Sequence, residues 1–206
     1  MVAIIDYGVG NLFSLKSSFA AIGQEATVTA DPNELTRADR LILPGVGAFQ
    51  DAADKLRRSG MDEALKKEVS CGKLLLGICL GMQMLFERSF EYGEHEGLGL
   101  LKGEIRPIAE RIPVGLKIPQ MGWNSLRILR ESPLLKYTRE GEYVYFVHSY
   151  SAVNCEDSLL AVTNYGTALT ACVGKGNIFG CQFHPEKSGE VGLRILKAFC
   201  ETGGRV

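Results

Sequence analysis

The chain has 206 residues, 46% of them hydrophobic and 23% charged, with a formal net charge of −1 at pH 7. This composition is that of an ordinary globular protein and predicts one domain over residues 1–206. The near-neutral charge argues against nucleic acid or a membrane surface as a partner. No apolar stretch approaches the roughly 20 residues that span a bilayer. VAIIDYG after Met1 lacks the charged start of a signal peptide, so we expect a cytoplasmic location.

The first half of the chain alternates strand and helix patterns. A helix pattern starts at Asn11 and stops at Gly23, a short one starts at Asp31, a mostly polar one covers residues 51–69, and another begins near Leu80. Between these patterns, apolar runs typical of buried strands read VAIID, EATVTA, LILPGVGAF and KLLLGI. Such alternation predicts a parallel sheet with helices on both faces.

From about residue 97 the pattern changes to short strands separated by glycines and polar turns. The candidate strands are EIRPI, YVYFVHSY, LLAVTNYG, TALTACV and NIFGCQF. A final helix is marked by Val191, Ile195 and Phe199, with Gly203 and Gly204 beyond it. We therefore predict an α/β fold, a single-domain open mixed sheet with a parallel core flanked by helices and antiparallel additions in the second half.

Neither the glycine-rich turns nor the cysteines form a known cofactor or metal motif. YGVGN and PGVGAF contain Gly-x-Gly, but Phe13 and Gln50 stand where a dinucleotide fingerprint requires a third glycine. The six cysteines form no CxxC pair, which favours free thiols over disulfides or structural zinc. We expect no cofactor and no metal, although such loops still offer backbone N–H groups to an anion.

The segment LLLGICLG places Cys79 between two glycines where a strand pattern gives way to a helix pattern. This is the arrangement of a nucleophile elbow, in which Gly77 and Gly81 leave room for a strained turn. A helix that begins at Leu80 directs its first N–H groups toward the sulfur, which favours the thiolate and places the Leu80 amide to bind an oxyanion. The local pattern alone leaves a nucleophile and a packing residue equally open.

A nucleophilic cysteine requires a base, and the chain has three histidines. His95 stands in an acidic loop, where we expect it to be solvated, and His148 in YFVHSY is either a core or a site residue. His184 ends a strand in GCQFHPEKS, and the proline after it favours extended backbone. Because positions i and i+2 share a face there, Glu186 lies beside His184 and can orient it. With Cys79, these residues predict a nucleophile, a base and an orienting carboxylate.

GICLGMQ (77–83) and FHPEKS (183–188) together resemble the signature pair of the class I, or triad, glutamine amidotransferases. A narrower resemblance, to the glutaminase subunits of imidazole glycerol phosphate synthase in histidine biosynthesis, rests on DYGVGN, PGVGAF, QMGWN and VHSY. It implies hydrolysis of L-glutamine to glutamate and ammonia through a cysteinyl thioester. Cys79 would attack the side-chain amide, His184 would protonate the departing ammonia, and Glu186 would hold His184.

The same resemblance implies roles for residues around the triad. The oxyanion would be met by the Leu80 amide and by one from the PGVG loop, at Val46 or Gly47. The family also implies that glutaminase activity is low until the partner holds its substrate. Gly45 and Gly47 offer a physical route to such a switch, because glycine makes reorientation of a peptide in this loop cheap. The residues implied to contact the substrate are Gly47, Gln83, Ser149 and Tyr150.

The family implies an obligate partner, a (β/α)8-barrel cyclase subunit that forms a heterodimer with this chain and receives its ammonia. The implied products are imidazole glycerol phosphate and aminoimidazole carboxamide ribotide. Met121, Trp123 and Asn124 in QMGWN are the docking candidates, because tryptophan is favoured at interface hot spots, although a lone tryptophan is also common in cores. Lys187 is a candidate gate or docking charge on the same face.

Three competing functions stay open at this point. The chain resembles the amidotransferase subunits of anthranilate or aminodeoxychorismate synthase at the elbow and the HPE segment, but not at YGVGN and MGWN. The second competing function is a catalytically silent binding subunit. The third is a cysteine hydrolase with an unrelated substrate.

Overall fold

The computed structural model of the protein describes residues 1–203. Gly204, which we predicted to follow the final helix, lies outside them. The described chain contains a nine-stranded mixed sheet and a smaller four-stranded sheet. The strands are β1 (Val2–Ile5), β2 (Ala26–Thr29), β3 (Arg40–Leu43), β4 (Leu74–Ile78), β5 (Arg88–Ser89), β6 (His95–Glu96), β7 (Glu104–Pro107), β8 (Gln120–Ile128), β9 (Tyr143–His148), β10 (Tyr150–Val153), β11 (Leu159–Asn164), β12 (Ala168–Lys175) and β13 (Ile178–Cys181). The α-helices are α1 (Leu12–Ala21), α2 (Phe49–Arg58), α3 (Met61–Ser70), α4 (Leu80–Gln83) and α5 (Gly189–Glu201). Short 3₁₀ helices cover Pro32–Thr36, Ile108–Glu110, Pro133–Leu135 and Pro185–Lys187.

The parallel core predicted from the first half is confirmed. The large sheet runs β2-β1-β3-β4-β13 in parallel and continues through β12, β11, β8 and β9 in antiparallel pairing. Every residue of β1 and β4 is buried, as is typical of strands that are covered on both faces. The mixed sheet with antiparallel additions is therefore confirmed.

Two apolar clusters pack against the sheet, and alternate residues of β1 point into each. Ile4 belongs to the cluster that contains Phe19 of α1 and Phe199 of α5. Ile5 belongs to the cluster that contains Phe49 of α2 and residues of α3. These phenylalanines are fully buried, and truncating one such side chain typically costs about 3–5 kcal/mol.

The segment predicted as a single strand, YVYFVHSY, spans both sheets. β9 pairs with β8 up to His148, which stands opposite Gln120, whereas Tyr150 begins β10 and stands opposite Pro107 of β7. The expectation that EIRPI adds to the main sheet is also wrong, because β7 belongs to the four-stranded sheet β10-β7-β5-β6. Ser149 is the crossing point, and its carbonyl accepts a hydrogen bond from the Ile108 amide at 2.9 Å.

The polar helix predicted over residues 51–69 is two helices, α2 and α3. They are separated at Gly60, whose φ of 71° lies in the left-handed region that glycine adopts without strain. The helix predicted near Leu80 is also short and ends at Gln83. None of the helices between residues 1 and 203 is both long and apolar enough to cross a membrane.

Candidate active site

The parallel pair β4 and β13 brings two distant segments to one edge of the sheet. Ile78, the last residue of β4, stands opposite Cys181, the last residue of β13. Cys79 follows the first strand directly, and His184 follows the second after two residues. Both side chains line a cavity of about 510 Å³ at the carboxyl ends of the strands, where open α/β sheets bind ligands.

Cys79 occupies a strained turn that the surrounding glycines make possible. Its φ of 53° is unusual for a residue other than glycine, and such strain typically costs about 1–3 kcal/mol. A Cβ on Gly81 would lie 1.8 Å from the carbonyl oxygen of Leu43, and one on Gly77 would lie 2.7 Å from the carbonyl oxygen of Gly81. The backbone N–H of Cys79 donates to the Cys181 carbonyl at 2.8 Å, which holds the turn against β13. The geometry is that of a nucleophile elbow.

His184 and Glu186 form a buried pair. His184 Nδ1 lies 2.8 Å from Glu186 Oε1, and the two side chains are 3% and 2% exposed. The backbone of His184 is extended, as the following proline favours, and its N–H donates to the Tyr145 carbonyl at 3.0 Å. The structure thus brings together the three residues predicted to act as nucleophile, base and orienting carboxylate.

The electrostatics of the pair suit proton transfer from sulfur to imidazole. Burial by itself lowers the pKa of His184, but interactions with the side chains of Cys79 and Glu186 outweigh this cost and raise the pKa to about 9. The imidazole is therefore a strong enough base to hold a proton that leaves the thiol. Cys79 Sγ donates a hydrogen bond to the Val147 carbonyl at 3.9 Å and accepts one from Gln182 Nε2 at 3.7 Å.

The PGVG loop borders the cavity and is fixed at one end and open at the other. The Tyr7 hydroxyl donates to the Pro44 carbonyl at 2.7 Å, and a Cβ on Gly45 would lie 2.8 Å from the Gly81 backbone nitrogen. Val46 and Gly47 line the cavity, and a Cβ on Gly47 would meet no atom within 4 Å. Gly47 has a φ of 94°. The part of the loop with room to turn is therefore the part predicted to supply an oxyanion donor.

Gln83 connects the elbow with the crossing between the two sheets. It is 5% exposed, and its Nε2 donates to the Tyr150 carbonyl and to Gln182 Oε1, both at 3.1 Å. Leu80, Gln83, Ser149 and Tyr150 all line the cavity beside Cys79. The substrate-contacting residues implied by the resemblance therefore surround one space.

The two other histidines lie in surroundings different from those of His184. His148 lines the cavity but is 5% exposed, with Nδ1 2.8 Å from the Tyr150 carbonyl and Nε2 2.9 Å from the Gln120 side-chain amide. Burial lowers its pKa to about 4, so the ring is neutral. His95 lies in β6 and is partly buried, and the expectation that it is solvated is wrong because its Nε2 is buried.

Two residues of the site were not predicted from the sequence. Glu91 lines the cavity, and its Oε2 accepts a hydrogen bond from the Phe49 backbone N–H at 2.6 Å. Gln182 is fully buried between Gln83 and Cys79. A sequence signal existed for Gln182, which stands two residues before His184 in a segment already assigned to the sheet edge. Glu91 stands in an irregular segment that carries no such signal.

Three of the four predicted docking residues, Met121, Trp123 and Lys187, are exposed. Met121 is 63% exposed and Trp123 is 52% exposed, so this tryptophan is not a core residue. The Trp123 and Tyr145 rings meet edge to face at 6.0 Å, and Lys187 Nζ lies 6.0 Å from the centre of the Tyr145 ring. Asn124 is partly buried and accepts a hydrogen bond from Gln120 at 3.0 Å.

Among residues 1–203, no group of three or more histidine, cysteine, aspartate or glutamate side chains is arranged to hold a metal ion. Each cysteine in this part of the chain is a free thiol, as the spacing predicts.

Comparison with known proteins agrees with this geometry. A family model described as glutamine amidotransferase class-I matches residues 3–202. Imidazole glycerol phosphate synthase subunit HisH of Wolinella succinogenes is 52% identical over 205 residues, which are 98% of this chain and 100% of that protein. The protein of the same name from Caldanaerobacter subterraneus is 52% identical over 202 residues, 98% of each chain.

Solved structures with lower identity share the fold. A glutamine amidotransferase crystal structure superposes with a TM-score of 0.75 at 21% identity and covers 97% of this chain and 100% of the other. The structure of PurLQS from Thermotoga maritima gives a TM-score of 0.74 at 22% identity, with 97% and 96% covered. The match of the family model and the 52% identity to the two HisH subunits show that the chain belongs to the class I glutamine amidotransferases and, within them, to the family of imidazole glycerol phosphate synthase HisH subunits.

Proposed function

We propose that this chain is the glutaminase subunit of an imidazole glycerol phosphate synthase, which hydrolyses L-glutamine to glutamate and ammonia and passes the ammonia to a cyclase in histidine biosynthesis. The observation that carries the proposal is that Cys79 and His184 line one cavity, with Glu186 paired to His184. About 50% identity to HisH subunits over nearly the whole chain supports the same assignment.

The proposed reaction has two stages, and His184 serves both. Cys79 Sγ forms a bond to the side-chain carbonyl carbon of glutamine while its proton passes to His184. The C–N bond then breaks, His184 returns the proton to the departing ammonia, and a glutamyl thioester remains. Water, with its proton taken by His184, adds to the thioester, and cleavage of the C–S bond releases glutamate and the free thiol. Glu186 keeps Nδ1 of His184 engaged, so that the other ring nitrogen faces sulfur and substrate.

The developing oxyanion requires donors in both stages. The Leu80 amide is the first candidate, because it follows the nucleophile at the start of α4. An amide at Val46 or Gly47 is the second candidate, since this end of the PGVG loop has room to turn. We infer that the partner increases activity by setting this peptide.

The substrate itself carries an α-ammonium and an α-carboxylate, and the wall of the cavity offers a partner for the cation. Glu91 is the acidic side chain among the described residues that line the cavity. Burial raises the pKa of Glu91, and a bound ammonium would offset that cost by favouring the charged form. Gly47, Gln83, Ser149 and Tyr150 complete the proposed contacts with glutamine.

The proposed partner is a (β/α)8-barrel cyclase that forms a heterodimer with this chain. Free ammonia is mostly protonated in neutral water and ammonium is not a nucleophile, so the product should pass to the second site without equilibrating with solvent. Met121, Trp123, Asn124 and Lys187 form the proposed docking surface, and the exposed aromatic ring is of the kind favoured at hot spots. A cytoplasmic location would keep the Cys79 thiol reduced.

The test uses the chain purified in complex with its cyclase partner. We expect Cys79→Ala to abolish synthesis that depends on glutamine and to preserve synthesis that depends on added ammonium salt. Cys71→Ala is the matched control, because Cys71 is an exposed free thiol. A Cys79→Ala complex that still uses glutamine would show that the chain is a silent binding subunit and would refute the proposal.

Two further measurements distinguish the proposed glutaminase from related subunits and from an unrelated hydrolase. Copurification with the synthase partner of the anthranilate or aminodeoxychorismate pathway, and not with the cyclase, would favour those subunits. A glutamine analogue that alkylates thiols should modify Cys79 in the complex, whereas a hydrolase for an unrelated substrate would leave it unmodified.

A further inference from the structure

A buried side-chain amide lies against the nucleophile on its β13 side. Gln182 is 0% exposed, and its Nε2 lies 3.7 Å from Cys79 Sγ, within the range of an N–H···S hydrogen bond. The backbone N–H of Gln182 donates to the Ala171 carbonyl at 2.9 Å, which fixes its position on the sheet. The contact therefore comes from a rigid strand end, and the reaction described above assigns it no role.

The orientation of this amide is set by its other neighbour. Gln182 Oε1 accepts a hydrogen bond from Gln83 Nε2 at 3.1 Å, and Gln83 Nε2 also donates to the Tyr150 carbonyl at 3.1 Å. Because the Tyr150 carbonyl can only accept, the Gln83 atom that faces it is the NH₂ nitrogen. The same nitrogen faces Gln182, so the side-chain oxygen of Gln182 must be the acceptor. The NH₂ group of Gln182 is left to face the sulfur.

We propose that Gln182 is a catalytic residue that stabilises the thiolate of Cys79 by donating a side-chain N–H to the sulfur. This deepens the proposed glutaminase function and rests on it. An uncharged thiol is a weak acceptor, whereas a thiolate makes a charge-assisted hydrogen bond. Cys79 is only 7% exposed, so water supplies little of the solvation that a sulfur anion requires.

The same contact would act in both stages of the reaction. The N–H···S bond weakens when Sγ attacks carbon and its negative charge moves to the substrate oxygen. It strengthens again when the C–S bond of the thioester intermediate breaks and the electron pair returns to Sγ. His184 then stabilises the sulfur from one side and Gln182 from the other.

The experiment measures the rate at which iodoacetamide alkylates Cys79 as a function of pH, in the complex and without glutamine. Gln182→Met keeps the size of the side chain and removes its N–H donor. We expect the variant to alkylate Cys79 about tenfold more slowly near neutral pH, with the midpoint of the pH profile about one unit higher, as for the loss of a charge-assisted bond. Alkylation of the exposed Cys71, followed by mass spectrometry in the same sample, is the internal control.

The outcomes separate this proposal from a structural role and from the proposed function. A Gln182→Met protein that unfolds more easily but keeps the wild-type alkylation midpoint would show that Gln182 only supports the fold, and would overturn the proposal. Because no glutamine is present, a shifted midpoint supports Gln182 even in a protein that proves unable to hydrolyse glutamine.

The wild-type complex supplies a test that does not depend on the folding of a variant. The side-chain amide resonance of Gln182 should move across the pH range in which Cys79 becomes reactive, and should stay in place in Cys79→Ser. A resonance that does not move in the wild-type protein would also overturn the proposal.

Discussion

Glu186→Gln removes the charge beside His184 while keeping the shape of the side chain, and we expect it to flatten the dependence of folding stability on pH. In the folded chain the pKa of His184 is about 9, above the ordinary value of 6.5 that describes the unfolded chain. A group with a higher pKa in the folded state stabilises that state through its protonated form. The stabilisation is therefore complete below pH 6.5 and is lost as the pH rises through about 9.

The size of the effect follows from the pKa difference. One pKa unit corresponds to about 1.4 kcal/mol, so the rise from 6.5 to about 9 corresponds to roughly 3 kcal/mol. This is the net gain after the cost of burial, and it is shared between the interactions of His184 with Cys79 and with Glu186. Solvent screens this pair little, because both side chains are at most 3% exposed. We therefore assign roughly 1–2 kcal/mol to Glu186.

The measurement is urea unfolding, followed by circular dichroism, at about pH 6 and about pH 9.5. Both proteins carry Cys79→Ser, so that ionisation of this thiol does not contribute. The substitution also removes the part of the rise in the pKa of His184 that comes from Cys79, and the comparison therefore isolates the part that comes from Glu186. Burial is the largest cause of the raised pKa values of Cys172 and Cys181 and keeps both thiols protonated in the two folded proteins, although Glu186 is a smaller cause for Cys181. The parent should lose roughly 1–2 kcal/mol more between the two pH values than the Glu186→Gln variant. Equal losses in the two proteins would refute the reasoning.

Three other substitutions test the elbow, the neutral histidine and the substrate contact. Gly81→Ala should destabilise the fold by about 3 kcal/mol, because its Cβ would lie 1.8 Å from a backbone carbonyl oxygen. Thermal unfolding measures this, with Gly203→Ala as the control, since a Cβ there would meet no atom within 4 Å. His148→Gln should weaken the loss of stability on acidification. Burial lowers the pKa of His148 to about 4, so the folded state is destabilised as the pH falls from 6.5 toward 4. Urea unfolding over that pH range measures the effect. An equal loss of stability in the variant and the wild type would contradict the prediction. Glu91→Gln should raise the KM for glutamine about tenfold with a smaller change in kcat, and an unchanged KM would exclude Glu91 as the ammonium partner.

The sequence predicted most strands of the large sheet because they are short apolar runs with clear ends. It did not predict β8, which contains no continuous apolar run. It did not predict the break at Gly60, because apolar residues of α2 and α3 continue at compatible spacing on both sides of that glycine. It also did not predict that the chain changes sheets at Ser149. Strand periodicity is the same in either sheet, so only the pairing of His148 with Gln120 and of Tyr150 with Pro107 distinguishes them.

The site could be predicted where its geometry is local. Cys79 stands in an elbow that its own neighbours form, and His184 and Glu186 are two residues apart in extended backbone. The contact of Gln182 with Cys79 joins residues 103 positions apart, and that with Gln83 joins residues 99 positions apart. The hydrophobic periodicity of the sequence does not predict such contacts, because they depend on which strands pair.

The pairing of β4 with β13 therefore does more than close the sheet. The Cys181 carbonyl holds the N–H of Cys79 in its strained turn, the next residue, Gln182, places an amide against the sulfur, and His184 follows within the same segment. The nucleophile is thus held by a hydrogen bond to the end of β13. The base, three residues beyond that strand, is held by the hydrogen bond of its N–H to the Tyr145 carbonyl. The PGVG loop, in contrast, is anchored at Gly45 and open at Gly47. A regulator acting on this site would therefore meet less resistance in moving the oxyanion donor than in moving the triad.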